Sequence, residues 1–227
     1  MHPRYELVIF DCDGVLVDSE PIAVRIDRLI LAEVGLEMSE EEVIRRFVGR
    51  SPTVMEAMIE EHLGHPLAPE RMAHYERLYR EAYEAGVGPV DGIVEALARI
   101  EHRVCVASSS RPASLVRKLK LVGLHDRFAP AIFSAAEVRH GKPAPDLFLY
   151  AAARLGVAAD RCVVVEDSRP GVEAARAAGM PVFAYAGGVT PGTELTGPGT
   201  TVFEDMRELP GLLGPPRLLV PDPAAGH

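Results

Sequence analysis

The sequence predicts an α/β fold in which a mainly parallel sheet is interrupted, after its first strand, by a helical insert. Three observations carry this prediction. After residue 88, short apolar runs alternate with segments of helical periodicity, which is typical of βαβ units. Before that point, residues 21–85 show helical periodicity alone, and one short apolar run precedes them. The apolar runs do not alternate with polar residues, so their strands are expected to be buried on both faces of a Rossmann-like core.

The first element is the apolar run Leu7–Phe10, which predicts a buried strand ending at an acidic turn. We expect the helical insert to span residues 17–88, between two parts of the core, residues 1–16 and 89–227. Helix breakers should separate the helices of this insert. They are Gly35, Ser51-Pro52 and Gly64-His65-Pro66.

The second part of the core is expected to continue with four more strands and four helices in alternation. The predicted strands span residues 104–107, 131–133, 162–165 and 181–185. The predicted helices span residues 92–100, 113–121, 147–155 and 172–178. Residues 213–227 are rich in Pro and Gly and are expected to form a loose tail.

The charge and cysteine content limit the class of protein. The formal net charge is −9, whereas nucleic-acid-binding proteins take most of their affinity from Lys and Arg contacts with phosphates. No apolar run reaches membrane-spanning length, and no signal peptide fits before the acidic turn at Asp11. The three cysteines offer no disulfide framework, which favours a reducing compartment. We therefore expect a cytoplasmic monomer without nucleic-acid or membrane partners.

The residues suited to catalysis begin at the end of the first strand, with Asp11-Cys12-Asp13-Gly14. Two carboxylates at the carboxyl end of a parallel strand lie at the edge where such sheets bind ligands. One can attack phosphorus and form an acyl phosphate, and the other can exchange a proton with the leaving oxygen. An Asp-x-Asp pair by itself is more often a solvated turn, so the assignment depends on the rest of the chain.

Three further segments follow predicted strands and supply complementary groups. Residues 108–110 are serines before a helix, whose N-terminus can bind an anion, although serines there also serve as N-caps. Lys142 is one of three lysines and offers a point cation on a loop with two prolines, unless it is an ordinary surface lysine. Glu166 and Asp167 offer the hard oxygen ligands that Mg²⁺ prefers, or are N-terminal acids of a helix. Together the four segments predict one site.

These segments resemble the four motifs of the haloacid dehalogenase-like superfamily, in the branch that carries a small helical cap after the first strand. The resemblance extends from residue 7 to about residue 213. It implies a phosphatase that forms an aspartyl phosphate, with Asp11 as nucleophile and Asp13 as general acid and base. The acid at position 13 argues against dehalogenation, because the dehalogenating members lack it.

The same resemblance implies ligands for a cofactor and for the substrate. Mg²⁺ is the expected cofactor, bound by Asp11, the backbone carbonyl of Asp13 and Asp167, with Glu166 in support. The oxygens of the transferring phosphoryl group are expected to be held by Ser108, Ser109 and Lys142. Arg50, Arg77 and Arg111 are candidates for binding the distal part of the substrate, although each also fits a solvated arginine at a helix end.

Two activities within the superfamily compete. The chain resembles β-phosphoglucomutases in residues 141–146 and phosphatases of the 6-phosphogluconate kind in residues 10–14. The mutases have a histidine in the helix after the first motif and an arginine in the substrate loop, where this chain has Ala23 and Pro52. We therefore favour a phosphatase acting on small sugar or sugar-acid phosphates, with the mutase as the alternative. A protein that binds phosphate without turnover is a third interpretation, disfavoured because clustered carboxylates would repel its ligand.

Overall fold

The computed structural model describes residues 5–216 and confirms the α/β fold. Its strands are β1 (Leu7–Phe10), β2 (Arg103–Ser108), β3 (Ile132–Ser134), β4 (Cys162–Glu166), β5 (Val182–Tyr185) and β6 (Thr200–Phe203). They form one sheet in the order β3-β2-β1-β4-β5-β6, and every neighbouring pair is parallel. The five strands predicted from the sequence are all present, with ends that differ by at most one residue.

The helices fall into two groups. Those between β1 and residue 88 are α1 (Glu20–Glu33), α2 (Glu40–Phe47), α3 (Thr53–Leu63) and α4 (Pro69–Gly86). Those after residue 88 are α5 (Ile93–Arg99), α6 (Pro112–Leu121), α7 (His125–Phe128), α8 (Asp146–Arg154), α9 (Arg169–Ala177), α10 (Gly192–Leu195) and α11 (Leu209–Leu213). We call α1–α4 the inserted helices.

The sheet is covered on both faces, as the unalternating strands predict. Val8 and Phe10 of β1 pack with α5, α6 and α11, whereas Leu7 and Ile9 pack on the opposite face with α8 and α9. All four side chains are fully buried. Parallel strands need crossover connections, and here these place helices on both faces of the sheet.

The inserted helices have an apolar cluster of their own, which includes Val24, Ile30, Val43, Ile59 and Tyr75. The predicted breakers separate them: Gly64 ends α3 with a φ of 74°, and Gly35 has a φ of 82° after α1. The ends of the insert meet at the core. There the backbone N–H of Asp18 donates to the carbonyl of Gly88 at 2.9 Å.

Strand β6 was not predicted from the sequence. Among the strands that the structure describes, it pairs with β5 alone. Thr201 is exposed, and Thr200 and Val202 are partly exposed. An edge strand of this kind lacks the continuous apolar run that identifies a buried strand. The predicted tail also begins too early, because Leu213 is packed at the end of α11 and is 1% exposed. Residues 217–227 of that tail lie outside the described residues.

The buried cysteines Cys12, Cys105 and Cys162 are free thiols. Across residues 5–216, none of the helices combines the length and the apolar character needed to cross a bilayer.

Candidate active site

Three neighbouring strands bring the sequence motifs to one edge of the sheet. β1 lies between β2 and β4, and their carboxyl ends share one edge because the pairing is parallel. Asp11 follows β1 directly, Ser108 is the last residue of β2 and Glu166 is the last residue of β4. From β1 the strand order runs to β2 and β3 on one side and to β4, β5 and β6 on the other. Open α/β sheets bind ligands at the carboxyl ends of the strands where the strand order reverses in this way.

Lys142, on the loop before α8, inserts its ammonium group between two carboxylates. Its Nζ lies 2.5 Å from Oδ1 of Asp11 and 2.7 Å from Oε1 of Glu166. The side chains of Lys142 and Glu166 are fully buried. Burial raises the pKa of Asp11 to about 7, although the charge of Lys142 opposes this rise. Burial lowers the pKa of Lys142, but the two carboxylates outweigh it and raise that pKa above its usual value. Lys142 is therefore a buried cation and not a surface lysine.

The second oxygen of Glu166 organises the start of α9. Oε2 accepts hydrogen bonds from the backbone N–H groups of Asp167 and Ser168, both at 2.8 Å, and from the Ser168 hydroxyl at 2.9 Å. That hydroxyl also caps α9 by accepting from the backbone N–H of Gly171 at 3.2 Å. Because both oxygens of Glu166 have partners, this side chain is held in one orientation.

Asp167 lacks such partners. Neither of its carboxylate oxygens accepts a hydrogen bond from residues 5–216, although the residue is 1% exposed. Burial, with the charges of Glu166, Glu20 and Asp11, raises the pKa of Asp167 well above its usual range. Gly14 is required beside it, because a Cβ at that position would lie 2.0 Å from Oδ2 of Asp167.

The residues at this edge fit a divalent metal ion. One carboxylate oxygen from each of Asp11, Glu166 and Asp167 lies within 4.8 Å of the others. A buried carboxylate without a partner is energetically costly, and a hard cation such as Mg²⁺ takes oxygen ligands of this type. The two unpartnered oxygens of Asp167 are therefore the best candidates for metal ligands.

Asp13 faces a different set of groups. Lys118, at the C-terminal end of α6, forms an ion pair with its Oδ1, and the Ser19 hydroxyl donates to the same oxygen at 2.5 Å. The Ser110 hydroxyl donates to Oδ2 at 2.9 Å. Burial acts to raise the pKa of Asp13, but the charge of Lys118 and these hydrogen bonds outweigh it, so the pKa is lowered.

Lys118→Met is expected to reduce the free energy of unfolding by about 3 kcal/mol, because Asp13 would lose its cation in a buried setting. The side chain of Lys118 is 2% exposed. Urea unfolding followed by circular dichroism measures the change. Lys120→Met, at an exposed position of the same helix, is the control and should stay within about 0.5 kcal/mol of the wild type. The double variant Lys118→Met with Asp13→Asn should recover part of the loss. A fully stable Lys118→Met protein would contradict this assignment.

The serines at the end of β2 and just after it, residues 108–110, make different contacts. The hydroxyl of Ser108 lies 3.4 Å from Oδ2 of Asp13 and accepts from the backbone N–H of Ser110 at 3.0 Å. The hydroxyl of Ser109 donates instead to the carbonyl of Gly49, in the loop between α2 and α3, at 2.9 Å. Ser108 therefore lies with the acidic residues, whereas Ser109 joins the core to the inserted helices.

A cavity of about 280 Å³ lies between this edge of the sheet and the inserted helices. Asp11 and Asp13 form part of its wall on the core side, and Arg50 lines it from the loop between α2 and α3. Arg111 also lines it but is engaged in ion pairs with Glu56 at 2.7 Å and Glu76 at 3.0 Å. The cavity can therefore hold a ligand whose phosphate reaches the carboxylates and whose remainder contacts the inserted helices.

The arrangement of these four motifs around one buried site agrees with a comparison of the sequence with protein families. The family model described as haloacid dehalogenase-like hydrolase matches residues 5–179. The chain belongs to this family. The predicted family and the predicted hydrolase class are thereby confirmed.

Curated relatives of this haloacid dehalogenase-like hydrolase include two proteins from Escherichia coli strain K12. The chain is 30% identical over 212 residues to a 6-phosphogluconate phosphatase, covering 92% of this chain and 95% of the relative. It is 35% identical over 190 residues to fructose-1-phosphate phosphatase YqaB, covering 79% of this chain and 96% of the relative.

Solved structures give the same family. A conserved haloacid dehalogenase-like protein, ATU0790, from Agrobacterium tumefaciens is 39% identical, with a TM-score of 0.76 and coverage of 92% of this chain and 97% of that one. A haloacid dehalogenase family hydrolase from Deinococcus radiodurans, solved with bound phosphate and sodium, is 30% identical. Its TM-score is 0.71, and the match covers 94% of this chain and 99% of that one.

Of the arginines predicted for substrate binding in this hydrolase, the structure does not bring Arg77 to the cavity. Arg77 is exposed on α4 and contacts His74. Arg80 lines the cavity instead, together with Glu76 and Tyr83 of the same helix. Positions 76, 80 and 83 are spaced by four and three residues and share one helix face, whereas position 77 is turned away from it.

The sequence analysis also missed Lys118, which contacts Asp13. A signal for it exists in α6, where Leu115 and Leu119 are buried and Lys118 lies on the same face at helical spacing. A lysine within the apolar face of a helix is expected to have a buried anionic partner. The sequence could not say which anion, because Asp13 lies 105 positions earlier in the chain.

Proposed function

We propose that the protein is a Mg²⁺-dependent phosphatase that hydrolyses phosphate esters of small metabolites, such as sugar or sugar-acid phosphates, through an aspartyl-phosphate intermediate. The observation that carries this proposal is the buried convergence of Asp11, Lys142, Glu166 and Asp167, with both oxygens of Asp167 unpartnered. The names of the phosphatase relatives support the same class of reaction.

The metal would be held by the carboxylates of Asp11 and Asp167 and by the backbone carbonyl of Asp13, with Glu166 in support. Bound there, Mg²⁺ supplies positive charge that offsets the charge of the phosphoryl group and of the clustered carboxylates. Glu166 is suited to support, because its own hydrogen bonds hold it in place beside Asp11 and Lys142.

Asp11 is the nucleophile in this proposal. A carboxylate oxygen of Asp11 attacks phosphorus, the bond from phosphorus to the ester oxygen breaks, and that oxygen takes a proton from Asp13. Water then attacks phosphorus in the acyl phosphate and gives a proton back to Asp13. This step breaks the bond between phosphorus and Asp11, releases inorganic phosphate and restores the Asp11 carboxylate. A phosphate dianion beside Asp13 opposes the ionisation of Asp13 and so favours the protonated form that the first step needs.

Phosphate binding is assigned to Lys142, Ser108 and Ser109. Lys142 is already bound to Asp11, so its charge lies where the phosphoryl oxygens would arrive. Ser108 lies beside Asp13 at the same edge. Ser109 is proposed to act indirectly, because its hydroxyl is bound to the carbonyl of Gly49.

The inserted helices would act as a cap over the site, with residues 17–88 as the cap domain and the rest as the core. The cavity between the two parts and the bond from Ser109 to Gly49 support this assignment. A cap excludes water and selects the substrate. Arg50 and Arg80 are proposed to contact the distal part of the substrate, and Arg111 to hold the cap through Glu56 and Glu76.

We expect net release of phosphate from hexose phosphates, without stimulation by catalytic glucose 1,6-bisphosphate. A mutase must shield the aspartyl phosphate from water and return it to a sugar hydroxyl, which requires polar cap groups. Ala23 and Pro52 line the cavity here, and neither side chain can form a hydrogen bond. The test is a coupled assay in which β-glucose 1-phosphate is followed for both glucose 6-phosphate and phosphate. Conversion to glucose 6-phosphate that outpaces phosphate release would establish the mutase instead.

A further inference from the structure

One wall of the cavity carries two acidic residues that the proposed chemistry does not use. Glu20 and Asp27 lie on one face of α1 and both line the cavity. They are 8% and 9% exposed, respectively. Their spacing of seven residues is two helical turns, so the two carboxylates follow one another along the same face.

The two acids have few partners within the protein. The hydroxyl of Tyr79, on α4, donates to Oδ1 of Asp27, which holds this carboxylate at the wall. Burial raises the pKa of Asp27 to about 6, although the hydrogen bond from Tyr79 opposes the rise. Within residues 5–216, Glu20 forms no side-chain hydrogen bond and no ion pair, although it is more than nine-tenths buried and lines the cavity. Burial and the charge of Asp13 raise the pKa of Glu20 well above its usual range. A carboxyl group that lines a cavity without a protein partner is available for hydrogen bonds with a ligand.

Cationic groups line other parts of the same cavity. Arg50 and Arg80 form no side-chain hydrogen bond or ion pair within the described part of the chain. A substrate in the cavity therefore meets acceptors on α1 and donors from the two arginines. A hydroxyl group both donates and accepts, so it can bind to either set. A carboxylate on the substrate can only accept hydrogen bonds, so it finds no donor in a Glu20 or Asp27 carboxylate. An ammonium group can only donate, so it finds no acceptor in the arginines.

We propose that Glu20 and Asp27, the latter positioned by Tyr79, accept hydrogen bonds from substrate hydroxyl groups and so select phosphate esters of neutral polyhydroxylated compounds over sugar-acid and amino-sugar phosphates. This inference rests on the proposed phosphatase function and narrows its substrate class to sugar and polyol phosphates. Asp27 and Tyr79 are joined across 52 positions of sequence, and both lie on inserted helices.

Phosphate release by the full-length enzyme with Mg²⁺ tests the selection directly. The probes are glucose 6-phosphate, sorbitol 6-phosphate, 6-phosphogluconate, glucosamine 6-phosphate and p-nitrophenyl phosphate. Glucose 6-phosphate and sorbitol 6-phosphate, which are neutral apart from the phosphate, should exceed 6-phosphogluconate and glucosamine 6-phosphate in kcat/KM by about tenfold or more. This is the effect of one or two hydrogen bonds to a charged group. Equal or higher kcat/KM for either charged compound would overturn the inference while leaving the phosphatase intact. No hydrolysis of any probe, p-nitrophenyl phosphate included, would overturn both.

Two variants test the residues. Asp27→Asn and Tyr79→Phe should each lower the ratio of kcat/KM for glucose 6-phosphate to that for p-nitrophenyl phosphate by about tenfold, mainly through a higher KM. Tyr79→Phe removes one hydroxyl only, so it gives a second result if Asp27→Asn folds poorly. Asp160→Asn, at an exposed position of the core, is the matched control and should keep the wild-type ratio. An unchanged ratio in a folded Asp27→Asn or Tyr79→Phe protein would contradict the assignment.

Discussion

Replacement of Asp11 by asparagine is expected to lower kcat by a factor on the order of 10⁴ or more, because the amide cannot attack phosphorus. Asp11 is the carboxylate that follows the central strand, and Lys142 holds it at 2.5 Å from a buried ammonium group. Burial and neighbouring acids raise its pKa, so loss of its charge should not unfold the protein. Steady-state phosphate release measures the effect, and circular dichroism checks that the variant is folded.

The control for this experiment is Asp160→Asn, the same chemical change at an exposed position, which should keep the wild-type kcat. Acid-quenched wild-type enzyme should carry a phosphoryl group on Asp11 that mass spectrometry detects, and the variant should carry none. A folded Asp11→Asn protein that keeps more than about one percent of the wild-type kcat would exclude covalent catalysis at this residue.

Removal of metal is expected to abolish turnover, and Asp167→Asn is expected to abolish the thermal effect of Mg²⁺. A ligand present at a hundredfold excess over its dissociation constant stabilises the folded state by about 2.7 kcal/mol. For a chain of this length that corresponds to a rise in Tm of about 5–10 °C. The raised pKa of Asp167 destabilises the metal-free fold at neutral pH, and Asp167→Asn removes this titrating group, so its metal-free form should melt above metal-free wild type.

Thermal melts with Mg²⁺ and with excess chelator measure metal binding independently of activity. Asp160→Asn should respond to Mg²⁺ as the wild type does. Two results would contradict the metal assignment: full phosphate release in excess chelator, and a Mg²⁺-dependent rise in the Tm of Asp167→Asn equal to that of the wild type.

Much of the fold could be predicted because its signals are local. Buried strands such as β1 and β4 are short unbroken apolar runs, since both faces of each strand pack against helices. The inserted helices are separated at glycines whose positive φ other residues adopt at a cost, as at Gly35 and Gly64. Strand β6 lacks such a signal, because an edge strand with one paired side and partial exposure has no apolar run.

Part of the site was predictable for a related reason. Asp11, Ser108 and Glu166 each lie at the carboxyl end of a predicted strand, and parallel pairing brings such ends to one edge. Their proximity therefore follows from strand order and direction. The burial of Lys142 between Asp11 and Glu166 is different, because a loop residue can point towards the site or away from it. The sequence left both alternatives open for that lysine.

The cavity shows the limit of sequence alone. Its acceptors and donors come from α1, α4 and the loop between α2 and α3, and their arrangement depends on how these helices pack on one another. The sequence assigned Arg77 to the substrate, whereas the packing of α4 turns Arg80 inward and leaves Arg77 exposed.

The sequence by itself determined the α/β core, the run of helices that follows β1 and the chemical types at the ends of the strands. Strand burial and helix breaking act over a few residues, and the edge that the strand ends share follows from parallel pairing. The tertiary structure alone decided which buried polar and charged side chains meet. The pairs Lys118 with Asp13 and Tyr79 with Asp27 are separated by 105 and 52 positions. Such contacts depend on helix rotation and packing, for which local sequence carries no signal.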